Sequence, residues 1–524
     1  MRIYPSKITI QAEQAGILSL TGTTDATQAL VSRFRPPLWP VSAVLKYLKL
    51  ITQVKRTDTH SPSGATNATP ALEQSPGLTL QQVSKSRLAE HSTDAQAAYK
   101  FIHDALELGS RRNLNMASYD RFIMENINKN LCDQGEYPAT TEIHHRCVSI
   151  IGDLRNSNDA VGLSTVGSSE AIHLGGLGIK KRWQQKRMAE GKDTSRPNII
   201  MGHNAQAALE KFARYFDVEC RMIPVSLESR YCLDVKKAAE ACDENTIGVY
   251  VILGSLFTDV HGMSDELGRI QKERGWDIPI HVDAASGGFI APFLDRVKSI
   301  NASRHKFGLA YAGVGWILWK SEEYLPKELV FTIDYMGAEV QTSYTLNFSR
   351  PACFMIAQYY NFVRHGREGY TSIMQANFAN SRTLSLALEE SGYFDVISDI
   401  HRPKGTYEYL RNHKAVREDG TEYNPGSPCV AFKLTEKFRT ENPHVKQLDV
   451  SKLMHTRGWV VPNYALPPAQ EQTEVKRIVI RESLSMEMLT KLITDITWTA
   501  ASLAEIESQS HTPKKVNHRR TVYE

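Results

Sequence analysis

Four short runs of the chain are apolar at almost every position and do not alternate with polar residues. They are NIIMG (198–202), TIGVYVIL (246–253), IPIHVD (278–283) and GWILW (315–319). Stretches with the apolar spacing of amphipathic helices separate them, among them SSEAIHLGGLGIKKRWQQKRM (168–188) and AQAALEKFARYF (205–216). Continuous apolar strands that alternate with helices predict a mostly parallel sheet covered on both faces.

Composition limits the classes of function that remain. The 524 residues suit two or three domains, and 62 basic against 58 acidic residues give a net charge of +4, which is no footprint of nucleic-acid binding. The seven cysteines are scattered and form no CxxC motif, so we expect a reduced, cytoplasmic setting and no metal site. No apolar run is long enough to predict a membrane span, and the N-terminus lacks the apolar core of a signal peptide.

Two motifs at predicted strand ends suit the binding of charged groups. TVGSSEAIHLGG (165–176) places Gly167, Ser168 and Ser169 where a loop becomes a helix, and the free N–H groups there favour an anion such as phosphate. IPIHVDAASGGF (278–289) places Asp283 at the end of a buried strand, where a carboxylate needs a cationic or N–H partner such as a protonated heterocycle. A plain serine N-cap and an aspartate that caps the next turn are the alternative interpretations.

Two further motifs carry cations. SRHKFG (303–308) supplies Lys306, which can lose its proton in a desolvated cleft and form an imine, and His305, which can hydrogen-bond a phosphate or a carboxylate. IVIRES (478–483) places Arg481 at the end of a strand-like run, where it suits bidentate capture of a carboxylate. Taken singly, an exposed lysine and an exposed strand-end arginine are ordinary features.

The order of these motifs is more informative than any one of them. A phosphate-binding turn, a buried aspartate, a lysine after a strand and a carboxylate-binding arginine near the C-terminus follow one another along the chain. That is the layout of an enzyme whose cofactor is pyridoxal phosphate, in which the protein anchors the phosphate, the pyridinium nitrogen and the aldehyde.

From about residue 108 to 500 the chain resembles the glutamate decarboxylases. Matching runs include INKNLCDQGEYP (127–138), TVGSSEA (165–171), KFARYFDVE (211–219), HVDAASGGFIAPF (281–293), HKFGLAYAGVGW (305–316) and IAQYYNFVRHGREGY (356–370). The resemblance implies an α/β protein of the aspartate-aminotransferase-like fold (fold type I), with a mostly parallel seven-stranded sheet in a large domain and a smaller α+β C-terminal domain.

Composition and this resemblance together predict how the chain is organised. The predicted parts are a divergent, partly disordered N-terminal extension (1–95), a segment for subunit contacts and the substrate site (96–138), a large pyridoxal-phosphate-binding domain (139–375), a small C-terminal domain (376–505) and a basic disordered tail (506–524).

The family roles transfer position by position. Lys306 would hold pyridoxal phosphate as a Schiff base, and Asp283 would pair with the pyridine nitrogen. Gln206 would stack against the ring, and the phosphate would be bound by Ser168, Ser169, His305 and Ser349, the last from a neighbouring subunit. Arg481 would bind the substrate carboxylate, and the distal carboxylate would be bound by Ser118, Tyr119, Asn130 and Asp133.

The implied reaction is decarboxylation of an acidic L-amino acid, L-glutamate to 4-aminobutanoate (GABA) and CO2. A divergent pyridoxal-phosphate enzyme with another substrate or reaction, or a non-catalytic relative, are the alternatives. We expect a homo-oligomer, a dimer or a hexamer of dimers, without nucleic-acid or membrane partners. The basic tail (511–524) lacks apolar anchors, so we do not expect calmodulin to bind it.

Two substitutions depart from the family pattern. Arg304 stands where the family has glycine, and a positive φ at that residue would cost about 1 kcal/mol. Leu256 replaces a threonine that faces the cofactor, so a hydrogen bond is lost. The segments after NMASY (115–119) and APF (291–293) are also shorter than in the family. These departures favour the two alternatives, whereas the retained carboxylate-site residues favour decarboxylation.

Overall fold

The computed structural model describes most of the chain after residue 86. The described residues are 87–107, 118–254, 260–288, 296–333, 341–406, 422–424, 426–468 and 470–508. All of them belong to the second of two compact units, Gln74–Glu524. The predictions for most of the N-terminal extension, for Leu256, for the segment after APF and for the basic tail therefore lie outside the described residues.

Helices and strands alternate through the middle of the chain. The helices are α1 (Ala95–Glu107), α2 (Ser118–Glu125), α3 (Pro138–Leu154), α4 (Ser168–Ala189), α5 (Ala207–Tyr215), α6 (Val235–Glu240), α7 (Val260–Arg274), α8 (Cys353–Glu390), α9 (Glu436–Glu441), α10 (Gln447–Thr456) and α11 (Met486–Ser508). The strands are β1 (Val161–Thr165), β2 (Asn198–Gly202), β3 (Glu219–Ile223), β4 (Thr246–Ile252), β5 (Ile280–Ala284), β6 (Val297–Ser303), β7 (Gly315–Trp319), β8 (Phe331–Ile333), β9 (Gln341–Ser343), β10 (Phe394–Val396), β11 (Cys429–Leu434), β12 (Asn463–Ala465) and β13 (Glu474–Val479).

A seven-stranded sheet forms the centre of the molecule, as predicted. Its order is β1-β7-β6-β5-β4-β2-β3, and β7 runs antiparallel to both of its neighbours while the remaining pairs are parallel. Every residue of β2, β4, β5 and β7 is buried, which agrees with their continuous apolar pattern. The fold type I prediction is confirmed by this sheet and by the structural neighbours described below.

The direction of the strands brings the predicted motifs to one edge of this sheet. The carboxyl ends of β4, β5 and β6 lie side by side because these strands are parallel neighbours. Strand β7 lies between β6 and β1, and Gly315 at its start pairs with Ser303 on one side and Thr165 on the other. The turn after β1 and the turn after β6, which carries Lys306, therefore flank the same strand.

A second, four-stranded sheet follows in the chain. It is antiparallel, with the order β10-β11-β13-β12. The long helix α8 contacts β10, β11 and α11 of this part as well as α1, α2 and α3. These two sheets agree with a large and a small domain, although the exact boundaries at 138, 375 and 505 stay predictions. No helix among the described residues is long and apolar enough to cross a membrane.

Lys476 on β13 offers a test of this second sheet. Its ammonium group is completely buried, and it donates hydrogen bonds to the hydroxyl of Ser451 (2.6 Å) and the side-chain oxygen of Asn463 (3.4 Å). Burial lowers the pKa of Lys476 from 10.5 to about 7, against the opposing charges of Glu474 and Asp449. Between these two values the unfolded chain binds more protons, so this residue's contribution to stability rises with pH.

We therefore expect Lys476→Met to raise the thermal midpoint near pH 6, where the native lysine is charged and buried, and to raise it less near pH 9. The stabilisation near pH 6 should be about 1–3 kcal/mol. Scanning calorimetry of the variant and of the exposed control Lys437→Met checks this. An equal shift of the midpoint at both pH values would show that Lys476 does not titrate as proposed.

Candidate active site

A cavity of about 400 Å³ lies at the shared strand edge and brings together five residues that the sequence predicted. These are Gln206, Asp283, His305, Lys306 and Arg481. The strand ends of β4 and β5 contribute most of the remaining wall, and the second sheet contributes Cys429, Arg477 and Val479. The cavity therefore lies between the two sheets, with the lysine and the aspartate in one wall and the arginines in the other.

Lys306 is half-buried in the turn that follows β6. Burial lowers the pKa of its amine, the charges of Arg477 and Arg481 lower it further, and the charge of Asp283 opposes them. Burial and the charges of Lys306 and Arg481 likewise lower the pKa of His305, so the imidazole is neutral at physiological pH. An amine with a lowered pKa is a better nucleophile towards an aldehyde, which is the chemistry predicted for Lys306.

Asp283 belongs to a completely buried chain of hydrogen bonds between β5 and β6. Its Oδ1 accepts from the side-chain amide of Asn301 (2.9 Å) and from the backbone N–H of Ala285 (3.1 Å). The Asn301 oxygen accepts from Nε2 of His281 (2.9 Å), and Nδ1 of that ring accepts from the hydroxyl of Ser299 (2.7 Å). The chain fixes the amide and imidazole orientations, and with them the carboxylate of Asp283.

One oxygen of this carboxylate remains available. Oδ2 of Asp283 has no hydrogen-bond partner among the described residues, and the side chain borders the cavity. Burial raises the pKa of Asp283, while the bonds from Asn301 and Ala285 and the charge of Lys306 lower it. A cationic N–H group in the cavity would offset the burial of this carboxylate.

The predicted anion-binding turn lies at the start of α4, at the same edge of the sheet and across β7 from the turn that carries Lys306. Helix α4 begins at Ser168, and its N-cap, Gly167, makes no side-chain capping bond, so the first N–H groups are left for another acceptor. Neither Ser168 nor Ser169 is among the residues that line the cavity with Lys306. Glu170, which is buried, accepts N–H bonds from Val166 (2.8 Å) in this turn and from Leu346 (3.0 Å) in the segment that leads to Ser349.

Glycine at position 315 is required for this turn to approach β7. A Cβ atom at residue 315 would lie 2.5 Å from the carbonyl carbon of Gly167 and 2.7 Å from the amide nitrogen of Ser168. Both contacts are with backbone, so neither can be relieved by rotating a side chain. The turn keeps its position only because residue 315 has no side chain.

We expect Gly315→Ala to displace this turn and to weaken the retention of pyridoxal phosphate by at least about tenfold. Equilibrium dialysis against the cofactor measures the effect. Gly268→Ala on α7 is the matched control, because its Cβ would approach no described atom closer than 3.6 Å. Unchanged cofactor affinity in the folded Gly315→Ala variant would exclude this turn from the binding site.

The arginine wall of the cavity contains one residue that the sequence predicted and one that it did not. Arg481 lies two residues beyond β13, and its Nη2 donates to the backbone carbonyl of His305, which joins it to the turn that carries Lys306. Arg477 and Val479 line the same cavity because alternate residues of a strand share a face. Arg477, Val479 and Arg481 are spaced two residues apart, and this spacing was the sequence signal that could have identified Arg477.

Three other predicted residues form a second cluster that does not line the Lys306 cavity. Asn130 Oδ1 accepts from the backbone N–H of Arg350 (2.9 Å). Cys132 donates from Sγ to Asp133 Oδ1 (3.3 Å), and its Sγ lies 3.8 Å from the hydroxyl of Ser349. Asn130, Asp133 and the exposed Ser349 are therefore neighbours of one another within a single chain. The side chains of Ser118 and Tyr119 lie outside the described part of the structure, although helix α2 begins at Ser118.

Arg304 does not enter the cavity. It follows β6 directly, its side chain is completely buried, and it is absent from the residues that line the Lys306 cavity. Its charge lowers the pKa values of two buried thiols, Cys147 and Cys353, against the effect of their burial, so the guanidinium lies close to them in the interior. Its φ is not positive, so the backbone strain considered above does not arise.

The sheet and the cavity together define the class of protein. A seven-stranded sheet with a lysine and a buried aspartate at the ends of adjacent strands is the arrangement of the fold type I enzymes that depend on pyridoxal phosphate. A solved structure of glutamate decarboxylase from Lactobacillus brevis superposes with a TM-score of 0.65 at 31% identity, over 81% of this chain and 96% of that one. A sphingosine-1-phosphate lyase from Burkholderia pseudomallei, 16% identical with a TM-score of 0.58, shares the fold.

Sequence comparison then gives the family. The family model described as "Pyridoxal-dependent decarboxylase conserved domain" matches residues 115–409. The chain is 42% identical to glutamate decarboxylase 1 of Arabidopsis thaliana over 451 residues, which are 81% of this chain and 84% of that protein. It is 41% identical to glutamate decarboxylase of Saccharomyces cerevisiae over 454 residues, which are 77% of this chain and 76% of that protein. The chain belongs to the pyridoxal-dependent decarboxylase family, and its cofactor is pyridoxal phosphate.

Proposed function

We propose that the chain catalyses the decarboxylation of L-glutamate to GABA and CO2. The observation that carries this proposal is the composition of the Lys306 cavity, where a lysine of lowered pKa and the buried Asp283 face two arginines, Arg477 and Arg481. Two guanidinium groups favour an acidic amino acid over a neutral one. Relatives that are about two-fifths identical along most of their length and are named glutamate decarboxylases support the choice of glutamate.

The residues present fit pyridoxal phosphate. Oδ2 of Asp283 is the acceptor that a pyridinium N–H requires, and Gly315 allows the turn at Gly167 and Ser168 to pack against β7 with its N–H groups uncapped. We assign the phosphate to this turn with Ser168, Ser169 and His305, the ring to Asp283 and Gln206, and the aldehyde to Lys306. When bound, the cofactor supplies the electron sink for the electron pair that the departing CO2 leaves behind.

The protein's own groups then perform three tasks. Arg481 holds the α-carboxylate, and orienting the breaking bond out of the ring plane lowers the barrier because only that geometry overlaps the π system. Asp283 would keep the ring nitrogen protonated, because its anionic carboxylate would stabilise the cation. Lys306, whose pKa is lowered, would hold the aldehyde of the cofactor until the substrate amine replaces it, and its released amine, once protonated, would be a proton donor in the cavity.

We propose a homo-oligomer with shared sites. The cluster of Asn130, Asp133 and Ser349 is separate from the Lys306 cavity of its own chain, so we assign it to the cavity of a neighbouring subunit. Size-exclusion chromatography with light scattering tests this, and a protein that is active only as a monomer would contradict it.

All seven cysteines are free, in agreement with the predicted cytoplasmic setting, which stays a prediction.

A product assay tests the proposed reaction. The protein, saturated with pyridoxal phosphate, is incubated separately with L-glutamate, L-aspartate and L-tryptophan, and the amines and CO2 are quantified. We expect GABA and CO2 in equal amounts from glutamate, and at least about tenfold lower kcat/KM for the other two. Turnover of another amino acid in preference to glutamate would favour the divergent enzyme, and no turnover of a panel of amino acids would favour the non-catalytic relative.

A further inference from the structure

A second cavity, of about 220 Å³, borders β1, an edge strand of the seven-stranded sheet. Its described lining residues include a cationic side chain and no anionic one. The cavity is partly open, and its walls come from helix α3, from β1, β8 and β9, from residues 131–134 and from the segment that carries Arg350. The described residues that line it include Arg350, His144 and His145 but no aspartate or glutamate. A cation that faces a cavity without a carboxylate needs another source of negative charge.

Arg350 is the charged group of this cavity, and its charge has no counterpart in the described part of the chain. Its Nη1 donates to the backbone carbonyl and, at 3.4 Å, to the hydroxyl of Ser164, both of which are neutral, and its enclosed Nε has no acceptor. Burial lowers the pKa of Arg350, but a guanidinium keeps its proton at any physiological pH.

The nearest acidic group is already in use. Glu170 is close enough for its charge to raise the pKa of Arg350. However, one of its oxygens accepts from Val166 (2.8 Å), and the other accepts from Leu346 (3.0 Å) and Asn347 (3.3 Å). Glu170 thus binds backbone N–H groups instead of forming an ion pair with the arginine.

His144 adds a neutral donor to the same cavity. Its Nε2 accepts a hydrogen bond from the backbone N–H of Ser164 (2.9 Å), so in the neutral ring the proton is on Nδ1. Burial and the charge of Arg350 lower the pKa of His144 to about 3, which keeps the ring neutral at physiological pH. The Nδ1–H group has no acceptor among the described residues and is therefore available to a ligand.

We propose that this cavity binds a small oxyanion, a carboxylate or an inorganic phosphate, through the guanidinium of Arg350 and the Nδ1–H of His144. A charged planar donor beside a neutral donor suits two oxygens of one ion. The volume is large enough for an ion of the size of acetate or phosphate.

Within one chain, the site shares no lining residue with the Lys306 cavity. Cys132 and Arg350 adjoin the cluster of Asn130, Asp133 and Ser349 that we assigned to the cavity of a neighbouring subunit. The proposal does not depend on the reaction proposed above.

Calorimetric titration of the full-length holoenzyme tests the proposal. The protein is saturated with pyridoxal phosphate, so that the phosphate site of the cofactor is filled, and is titrated separately with inorganic phosphate, acetate and GABA. For phosphate and acetate we expect one saturable site per chain. GABA is the product proposed for the Lys306 cavity, so its binding is assigned to the second cavity only where Arg350→Gln weakens it. Binding of phosphate alone identifies an inorganic ligand, and binding of acetate or GABA identifies a carboxylate ligand.

Three variants locate the binding. Arg350→Gln keeps a donor for the Ser164 carbonyl but removes the charge, and it should weaken binding at least about tenfold. His144→Gln keeps an acceptor for the Ser164 N–H but removes the Nδ1 donor, and it should weaken binding by about threefold or more. Arg269→Gln, on the exposed face of α7, is the matched control and should bind as the wild type does.

Two results would overturn the proposal: no saturable binding of any of the three probes, or the same affinity in wild type, His144→Gln and Arg350→Gln. Circular dichroism establishes that each variant is folded. If Arg350→Gln does not fold, the comparison of His144→Gln with the wild type decides the question by itself, since that substitution preserves the hydrogen bond to Ser164.

Discussion

Replacing Lys306 with alanine should abolish turnover and remove the visible absorption band of the bound cofactor. Lys306 is the lysine that lines the cavity opposite Arg477 and Arg481, and burial lowers its pKa, so it is the group prepared to react with the aldehyde. We expect kcat/KM to fall by more than about 10³-fold. Steady-state GABA release and the visible spectrum measure the two effects.

A matched control separates this chemistry from a general loss of a positive charge. Lys327→Ala removes an exposed lysine and should leave both the band and the rate unchanged. If Lys306→Ala retained activity within about tenfold of the wild type, the assignment of the reactive lysine would be wrong.

Replacing Asp283 with asparagine should lower kcat by about 10²–10³-fold while the protein stays folded. Asparagine keeps an oxygen that can accept from Asn301 and Ala285, but it loses the charge that stabilises a protonated ring nitrogen. Burial raises the pKa of the native carboxyl, so removal of the charge relieves a desolvation cost and should not lower the thermal midpoint.

Single-turnover kinetics and scanning calorimetry measure these two quantities for Asp283→Asn. Asp265→Asn makes the same change at an exposed position of α7 and should leave the rate unchanged. A rate close to that of the wild type in Asp283→Asn would mean that this carboxylate does not control the protonation of the ring.

The central strands were predictable from the sequence because they are buried on both faces. Strands β2, β4, β5 and β7 consist of nearly continuous apolar residues, and the structure places each of them close to the predicted run. Strand β6 (VKSINAS) has no such pattern, because Ser299 and Asn301 are polar residues buried for a specific purpose. They form the hydrogen bonds that hold His281 and Asp283.

The candidate site was predictable where a residue lies at or shortly after the end of a strand. Asp283 lies near the carboxyl end of β5, and Lys306 lies three residues beyond β6, the parallel neighbour of β5. The direction of these two strands therefore brings both residues to one edge of the sheet. The position of Asn130, Asp133 and Ser349 outside the Lys306 cavity could not be predicted, because it depends on long-range packing between residues 130 and 350 of one chain. The sequence could not predict that the side chain of Arg304 points into the protein interior, because an arginine in a turn can equally well line a cavity.

Reductive labelling is the measurement that tests the central claim most directly. The purified protein is saturated with pyridoxal phosphate and reduced with borohydride, which makes the bond between lysine and cofactor permanent, and the peptides are mapped by mass spectrometry. We predict one modified lysine per chain, Lys306, and less modification when L-glutamate is present during reduction. Modification of a different lysine, or of none, would contradict the assignment of this cavity as the cofactor site.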